Sequence, residues 1–447
     1  MKSPFSLHSF IRSRKLSLAL LIIIAGYLFA PVYFDRNQLP ASEEQWHCKS
    51  DGSFGNPRLT MRPTSSLKII RLTNLGEFVE RCELADVLYE LNWGRDDQIG
   101  HSPAEYDHSA PKLPKLAVVY IHGWKHGAKE DDDDRVKFGE LVDRLREKHR
   151  GEKYVVGIYV SWNASTDLPE PLESLSFWVK KADADRISQG GAVTKIVSSI
   201  GAVVRKNGHD QFIAIGHSFG ARMLYSATAQ GLVNQAAFSH PGYSRGDYEP
   251  FRGVADAVIL LNPAFEASRY TVLDDLTRSG ENFTSKQKPL MVVISSEADW
   301  ATRVAFPVGQ WLDLANTARE KTTIGNYRSY RSHTLERSNG TNCDPIGPAG
   351  ISESFDRAGL CLKRVRREET DKLSKDGRNK VRQTFQPFNP LIVASTPADV
   401  IASHGDVWNP SFSGWLFELV AALEDRAPAP TPDPNDRTSS VPEQPTR

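Results

Sequence analysis

Continuous apolar runs, rather than alternating ones, recur along the middle of the chain. Each is short, rich in β-branched residues and followed by glycine or a polar residue; the runs lie at 116–121, 154–162, 212–215, 257–261 and 290–295. Such runs are typical of strands that are buried on both faces of a parallel sheet. Segments with helical spacing separate them, as at 136–148 and 192–206. This alternation predicts an α/β fold with a mostly parallel central sheet flanked by helices.

The first residues of the chain carry a different pattern. Basic residues precede an apolar run at 16–34 that contains no charge, and such a run forms a helix of roughly 28 Å, close to the thickness of a bilayer core. We therefore expect residues 1–35 to form a single transmembrane anchor, with a cleaved signal peptide as the alternative. Because basic flanks stay in the cytoplasm, the rest of the chain is expected outside it, on the periplasmic side of the cell membrane in a bacterium.

Composition sets the remaining boundaries. The predicted regions are, in order, a juxtamembrane and accessory region at 36–112, an α/β domain at 113–425 with an insertion at about 305–395, and a tail at 426–447. The insertion is polar and basic, and a lid is one interpretation of it. The tail is rich in proline and is expected to be disordered. A strand at 67–72 and helices at 78–91 and 412–423 complete the predicted elements.

The net charge and the cysteine pattern argue against two classes of function. Lysine plus arginine and aspartate plus glutamate number 55 each, so the formal net charge is zero. Nucleic-acid-binding proteins usually carry a basic excess, and nucleic acid is not an expected partner. The four cysteines form no C-x-x-C pair, which argues against a zinc or thioredoxin-like site. The local disulfide pairs are Cys48 with Cys82 and Cys343 with Cys361, while other connectivities and free thiols stay open.

The pattern G-x-S-x-G occurs twice, at 216–220 and 242–246. The first copy follows a buried strand and leads into a helical segment, which is the context of a serine nucleophile on a sharp strand-to-helix turn. The second copy follows a proline and a polar loop. We therefore identify Ser218 as the candidate nucleophile and Ser244 as a loop residue. The alternative for Ser218 is a tight turn without chemistry.

The segment His122-Gly123-Trp124 closes the strand at 116–121. An oxyanion hole on such a sheet uses a backbone N–H of this loop and the N–H of the residue after the nucleophile. The expected donors are Trp124, or Gly123, together with Phe219.

Two further features of this loop are expected to have structural rather than catalytic roles. His122 and His126 are expected to pack or to cap rather than to catalyse. The acidic run at 131–134 is expected to be a solvated helix N-terminus, where negative charge is favourable.

The order of a hydrolase triad is serine, then acid, then histidine. His240 precedes the strands that would carry the acid, so the order excludes it as the base. His404 lies just before the last amphipathic helix and is the expected base. His333, within the polar insertion, is the alternative.

The acid should follow a late strand, where it can orient the imidazole. Asp299 follows the run at 290–295 and is the expected acid. Glu266, after the preceding strand, and Glu297 are the alternatives.

Several of these segments together resemble the α/β-hydrolase superfamily, in particular its serine esterases and lipases. The resemblance rests on VVYIHGWKHGA, IAIGHSFGARM, LLNPAFEA, ISSEADWATRVAFPVG and SHGDVWNP, and it covers about residues 115–310 and 395–425. It implies hydrolysis of a small-molecule or lipid-like carboxylic ester through an acyl-enzyme, with no metal and no organic cofactor. Two other classes stay open: an inactive binding or scaffold protein on this fold, and a thioesterase, peptidase or acyltransferase. The oligomeric state is open as well.

Overall fold

The computed structural model describes most of the predicted α/β domain and part of the accessory region. The described residues are 67–93, 113–165, 176–206, 208–238, 251–278, 283, 287–307, 310, 317–338, 359–365 and 389–423. The predicted anchor at 1–35, the predicted tail at 426–447 and the loop residue Ser244 lie outside them.

Within the described residues, nine strands form one sheet with the order β1-β3-β2-β4-β5-β6-β9-β7-β8. All neighbouring strands are parallel except β7 and β8, which are antiparallel. The strands are β1 (Lys68–Leu72), β2 (Lys115–Ile121), β3 (Tyr154–Trp162), β4 (Gln211–His217), β5 (Ala257–Leu261), β6 (Met291–Ser296), β7 (His333–Arg337), β8 (Leu360–Arg364) and β9 (Leu391–Thr396). The predicted mostly parallel sheet is confirmed.

Helices flank this sheet. They are α1 (Arg81–Trp93), α2 (Asp133–Lys148), α3 (Phe177–Gln189), α4 (Ala192–Lys206), α5 (Phe219–Phe238), α6 (Thr271–Arg278), α7 (Ala318–Lys321) and α8 (Pro410–Leu423). Two separate apolar layers result, one containing side chains of α2 and α8 and the other containing side chains of α1, α3, α4 and α5. Strand β2 contributes side chains to both layers: Val118 and Tyr120 belong to the first, and Val119 and Ile121 belong to the second. Burial on both faces explains why the central strands have no polar alternation.

Three strands were not predicted, and all of them lie in the stretch expected to be an insertion. β9 is buried along its whole length and pairs with β6 and β7, so this part of the stretch belongs to the central sheet. β7 and β8 extend the sheet beyond β9. Only part of each strand is buried, and β8 forms the edge of the sheet, so polar residues are tolerated in both strands and no continuous apolar run marks them.

The first two described elements belong to the main domain. Strand β1 pairs with β3, and α1 contributes Leu84, Val87 and Leu91 to an apolar layer, so these two elements share the sheet and core of the main domain.

Two further findings concern the cysteines and the helices of the described residues. Cys82 and Cys361 are both disulfide-bonded. Among the described helices, none alone is long and apolar enough to cross a membrane, and one pair bent by 47°, Phe177–Gln189 with Ala192–Lys206, meets that test jointly.

Candidate active site

Ser218 forms the turn between β4 and α5. Its backbone has a φ of +56°, in the left-handed region that a side chain other than glycine seldom adopts. The turn is held at the end of the neighbouring strand, because the Ser218 N–H donates to the Leu261 carbonyl at 2.9 Å and the Ala264 N–H donates to the Ser218 carbonyl at 3.2 Å. Strain of this kind persists only where the surroundings fix it, as at many active sites.

The two glycines of the motif allow this turn to be tight. A Cβ atom at Gly216 would lie 2.7 Å from the Ala221 Cα, and one at Gly220 would lie 2.1 Å from the Ile121 carbonyl oxygen. Both distances are far inside van der Waals contact. The helix that follows Ser218 can therefore pack against the ends of β2 and β4 only without these side chains.

The structure brings the three predicted residues Ser218, His404 and Asp299 into one chain of hydrogen bonds. The Ser218 Oγ lies 2.7 Å from His404 Nε2, and His404 Nδ1 lies 2.7 Å from Asp299 Oδ2. Asp299 follows β6, and His404 lies between β9 and α8. Because a carboxylate accepts, Nδ1 carries the proton that is donated to Asp299, which leaves Nε2 free to accept the proton of the serine hydroxyl.

Asp299 is fully buried and has a second partner that sequence reasoning missed. Thr302 donates to its carboxylate twice, from Oγ1 at 2.7 Å and from the backbone N–H at 3.1 Å. Burial by itself would raise the pKa of Asp299, but the charge of His404 and the hydrogen bonds from His404 and Thr302 lower it below its ordinary value. The carboxylate is thus held ionised beside the imidazole.

The alternative base His333 and the alternative acid Glu297 make contacts with other residues than Ser218, Asp299 and His404. His333 is on β7, with its Nδ1 2.9 Å from the Ser332 Oγ. Glu297 forms a surface ion pair with Arg331 at 2.7 Å.

Glu266, the main alternative acid, belongs to a buried ion cluster. It lies 3.0 Å from Arg222 and 2.8 Å from Arg269. Burial would raise the pKa of Glu266, but the charges of Arg222, Arg269 and Lys181 lower it to about 2.

The expected oxyanion donors lie around Ser218. A Cβ atom at Gly123 would be 3.0 Å from the Ser218 Cβ, so the backbone of this loop runs against the serine. Phe219 is the first residue of α5, and its N–H therefore has no acceptor within the helix. The positive end of the helix dipole lies at the same place.

His122 orients one of these candidate donors. Its Nε2 accepts from the Trp162 N–H at 3.1 Å, so the proton is on Nδ1, which donates to the Gly123 carbonyl at 2.8 Å. Burial lowers the pKa of His122 to about 4, which keeps the ring neutral. Since the peptide bond is planar, holding the Gly123 carbonyl also fixes the direction of the Trp124 N–H.

Asp134 is a residue whose environment differs from the one expected. Asp132 does cap α2, since its carboxylate accepts from the N–H groups of Asp134 and Arg135, but Asp134 itself is only 2% exposed. Its carboxylate accepts from Tyr120 and from Trp408, each at 2.8 Å. The signal was present in the sequence, because Asp134 lies four residues before Phe138 on the buried stripe of α2.

Two more polar residues reach the site from strand ends. His217 Nε2 donates to the His404 carbonyl at 3.0 Å, and Asn262 Nδ2 donates to the same oxygen at 2.8 Å. His217 is the middle residue of the G-H-S triplet and Asn262 directly follows β5. Within the described ranges, no group of three or more His, Cys, Asp or Glu side chains is arranged to hold a metal ion.

Comparison with known proteins adds little to this geometry. No family model and no curated protein matches the chain. Among solved structures, the chain is similar to the phospholipase PlaB from Legionella pneumophila in complex with thio-NAD, at 13% identity and a TM-score of 0.21 over 56% of this chain and 49% of that one. A second structure of the same phospholipase aligns at 12% identity and a TM-score of 0.20 over 56% of this chain and 51% of that one. The chain thus spans about half the length of these proteins, and its own α/β architecture is consistent with a hydrolase fold.

Proposed function

We propose that this protein is a serine hydrolase that cleaves carboxylic ester bonds through an acyl-enzyme intermediate on Ser218. The observation that carries the proposal is the chain of two 2.7 Å contacts from Ser218 through His404 to Asp299, built on a serine with a φ of +56°. This is the arrangement that converts a weak hydroxyl nucleophile into a reactive one.

The proposed reaction has two halves. The Ser218 Oγ attacks the ester carbonyl while His404 Nε2 takes its proton, and Asp299 holds the imidazole and stabilises its positive charge. The N–H groups of Phe219 and of Trp124 or Gly123 donate to the oxyanion. His404 then gives the proton to the leaving alcohol. Water attacks the acyl-enzyme with His404 again as base, which releases the acid and restores the serine.

An apolar acyl group suits the surroundings of the proposed oxyanion hole. The ring of Phe177 lies 5.0 Å from that of Phe219 and 5.3 Å from that of Trp124, centroid to centroid. Phe177 and Phe219 are buried, and Trp124, which is partly buried against them, presents an apolar ring beside the loop of the proposed oxyanion donors. We therefore propose a small-molecule or lipid-like ester as the substrate class.

We also propose that residues 1–35 anchor the protein in a membrane, with the hydrolase domain outside the cytoplasm. The apolar run at 16–34 supports the anchor. The disulfide bonds of Cys82 and Cys361 support an oxidising compartment. The test is extraction of membranes with alkaline carbonate followed by protease treatment of spheroplasts, in which the periplasmic face of the cell membrane is accessible. Release of the protein by carbonate would contradict the anchor, and protection from protease would contradict the orientation.

The catalytic proposal is tested by active-site labelling with a fluorophosphonate probe. Wild-type protein should be labelled, the Ser218→Ala variant should not, and Ser244→Ala should be labelled like the wild type. With an activated ester as substrate, Ser218→Ala should lower kcat by a factor on the order of 10⁶. A panel of short-chain and long-chain esters, thioesters and peptides then determines which bond the protein cleaves and which acyl length it prefers. An unlabelled wild type would instead favour a binding or scaffold protein.

A further inference from the structure

The main-chain carbonyl of His404 receives two side-chain hydrogen bonds at once. His217 Nε2 lies 3.0 Å from this oxygen and Asn262 Nδ2 lies 2.8 Å from it. A carbonyl oxygen only accepts, so both nitrogens are donors. A carbonyl that engages both of its lone pairs in this way has a fixed position and direction.

Asn262 is held so that its amide nitrogen faces His404. Its side-chain oxygen accepts from the Ser296 N–H at 2.8 Å, and its own N–H donates to the Ile294 carbonyl at 2.8 Å. The first contact assigns the oxygen and nitrogen of the amide. The residue is fully buried and has a φ of +41°, a conformation that asparagine and aspartate adopt more readily than other side chains.

The ring of His217 is buried beside the carboxylate of Asp134. Nδ1 lies 3.7 Å from an oxygen of the Asp134 carboxylate, which Tyr120 and Trp408 fix through hydrogen bonds of 2.8 Å. Burial would raise the pKa of Asp134, but the attraction of His217 and of His126 and the hydrogen bond from Tyr120 lower it. The ring of His217 is only 2% exposed, so its surroundings fix its plane, with Nε2 directed at the His404 carbonyl.

Few other contacts fix the direction of His404 within its loop. Ala402, Ser403 and Gly405 around it are exposed, and the nearest buried apolar residues, Ile401 and Val407, lie three residues away on either side. His217 and Asn262, in contrast, belong to the ends of β4 and β5, which also hold the nucleophile: Ser218 follows His217, and its N–H donates to the carbonyl of Leu261. The same two strand ends therefore set the positions of both nucleophile and base.

We propose that His217 and Asn262 are positioning residues for the general base, and that their two hydrogen bonds to the His404 carbonyl keep the imidazole in reach of Ser218 and Asp299 together. The proposal rests on the proposed ester hydrolysis for its effect on turnover, and on geometry alone for its effect on His404. A base misplaced by about 1 Å costs on the order of 100-fold in rate.

The experiment separates loss of the donor from loss of the side chain. Asn262→Asp keeps the shape, the tolerance of positive φ and the acceptor for Ser296, but places an oxygen against the His404 carbonyl. His217→Leu removes the donor, whereas His217→Gln keeps an amide N–H near the position of Nε2. We expect Asn262→Asp and His217→Leu to lower kcat about 100-fold with KM nearly unchanged, and His217→Gln to retain most of kcat. Asn92→Asp, on helix α1, is the matched control and should turn over like the wild type.

A readout independent of turnover is the downfield proton resonance of the His404 Nδ1–H that faces Asp299, assigned by its loss in Asp299→Asn. It should broaden or vanish in Asn262→Asp and His217→Leu and persist in His217→Gln. Wild-type kcat and an unchanged resonance in the two donor-deficient variants would overturn the positioning role, as would an equal loss in His217→Gln. If His217→Leu does not fold, Asn262→Asp and His217→Gln carry the test. If the wild-type protein hydrolyses no ester, the proposed function fails, and the resonance still decides whether these residues hold the imidazole.

Discussion

At the scale of single residues, the proposed mechanism requires one tautomer of His404, because only an unprotonated Nε2 can accept the proton of Ser218. Asp299 enforces the productive tautomer because its carboxylate can only accept from Nδ1. In Asp299→Asn the amide can donate to Nδ1 instead, which moves the imidazole proton to Nε2 and removes the acceptor for the serine. We expect kcat to fall by a factor on the order of 10⁴ with KM little changed, measured by steady-state hydrolysis of an activated ester.

Glu297→Gln is the matched control, since Glu297 lies two residues before Asp299 and was an alternative acid. Its ion pair with Arg331 joins a side chain that is 45% exposed to one that is 16% exposed, and exposed pairs contribute little to stability. Activity within about twofold of the wild type is expected. Comparable losses in both variants would show that Asp299 acts through local structure rather than through the tautomer.

The sequence allowed Ser218 and Asp299 to be chosen because each follows a strand that can be recognised on its own, and His404 because it precedes an amphipathic helix that can be recognised in the same way. Thr302, Asn262 and Asp134 could not be chosen in the same way. The role of Asn262 depends on an oxygen 142 residues further along the chain, and Asp134 receives a hydrogen bond from a tryptophan 274 residues away. Side-chain contacts at such separations are set by the register of the sheet, which a single sequence does not specify.

At the scale of elements, helix α5 offers two glycines with opposite requirements. Gly220 lies where a Cβ atom would meet the Ile121 and His122 carbonyl oxygens at 2.1 and 2.6 Å, whereas a Cβ at Gly231 would meet nothing within 4 Å. We expect Gly220→Ala to lower the free energy of unfolding by about 1–3 kcal/mol and to displace Ser218. Gly231→Ala should raise it by about 0.5–1 kcal/mol, because alanine is the better helix former. Urea unfolding followed by circular dichroism measures both, and destabilisation by Gly231→Ala would contradict the open environment of that position.

The same helix shows where the reasoning from sequence failed. A glycine after a helical segment often marks the end of the helix, but α5 continues past Gly231 to Phe238. A single glycine costs only about 1 kcal/mol within a helix, and the buried neighbour Leu232 packs in the apolar layer beyond it. Strand β9 was missed because it is only six residues long and lies at the end of a long stretch of mostly polar residues.

At the scale of the whole molecule, a buried ion cluster connects helix α3 and helix α5 to the residue Glu266 that follows strand β5. Arg222, one turn after Ser218, donates to Asp185 of α3 at 2.6 Å and lies 3.0 Å from Glu266, which follows β5. Gln310 also donates to Glu266, at 2.7 Å. Removal of one member of a buried pair leaves the other charge without compensation and is strongly destabilising.

This cluster predicts the acid sensitivity of the fold. The pKa of Glu266 is lowered from 4.5 to about 2, so its contribution is complete above pH 4.5 and is lost as the pH falls towards 2; the shift corresponds to about 3 kcal/mol. Glu266→Gln should therefore be less stable than the wild type by about that amount at pH 7, and the difference should shrink between pH 4.5 and pH 3. Urea unfolding at several pH values measures it. Asp399→Asn, which breaks the exposed pair with Arg337, is the control and should leave the pH dependence intact. Parallel pH profiles for Glu266→Gln and the wild type would contradict the role of Glu266, because only a group whose pKa changes on folding gives stability a dependence on pH.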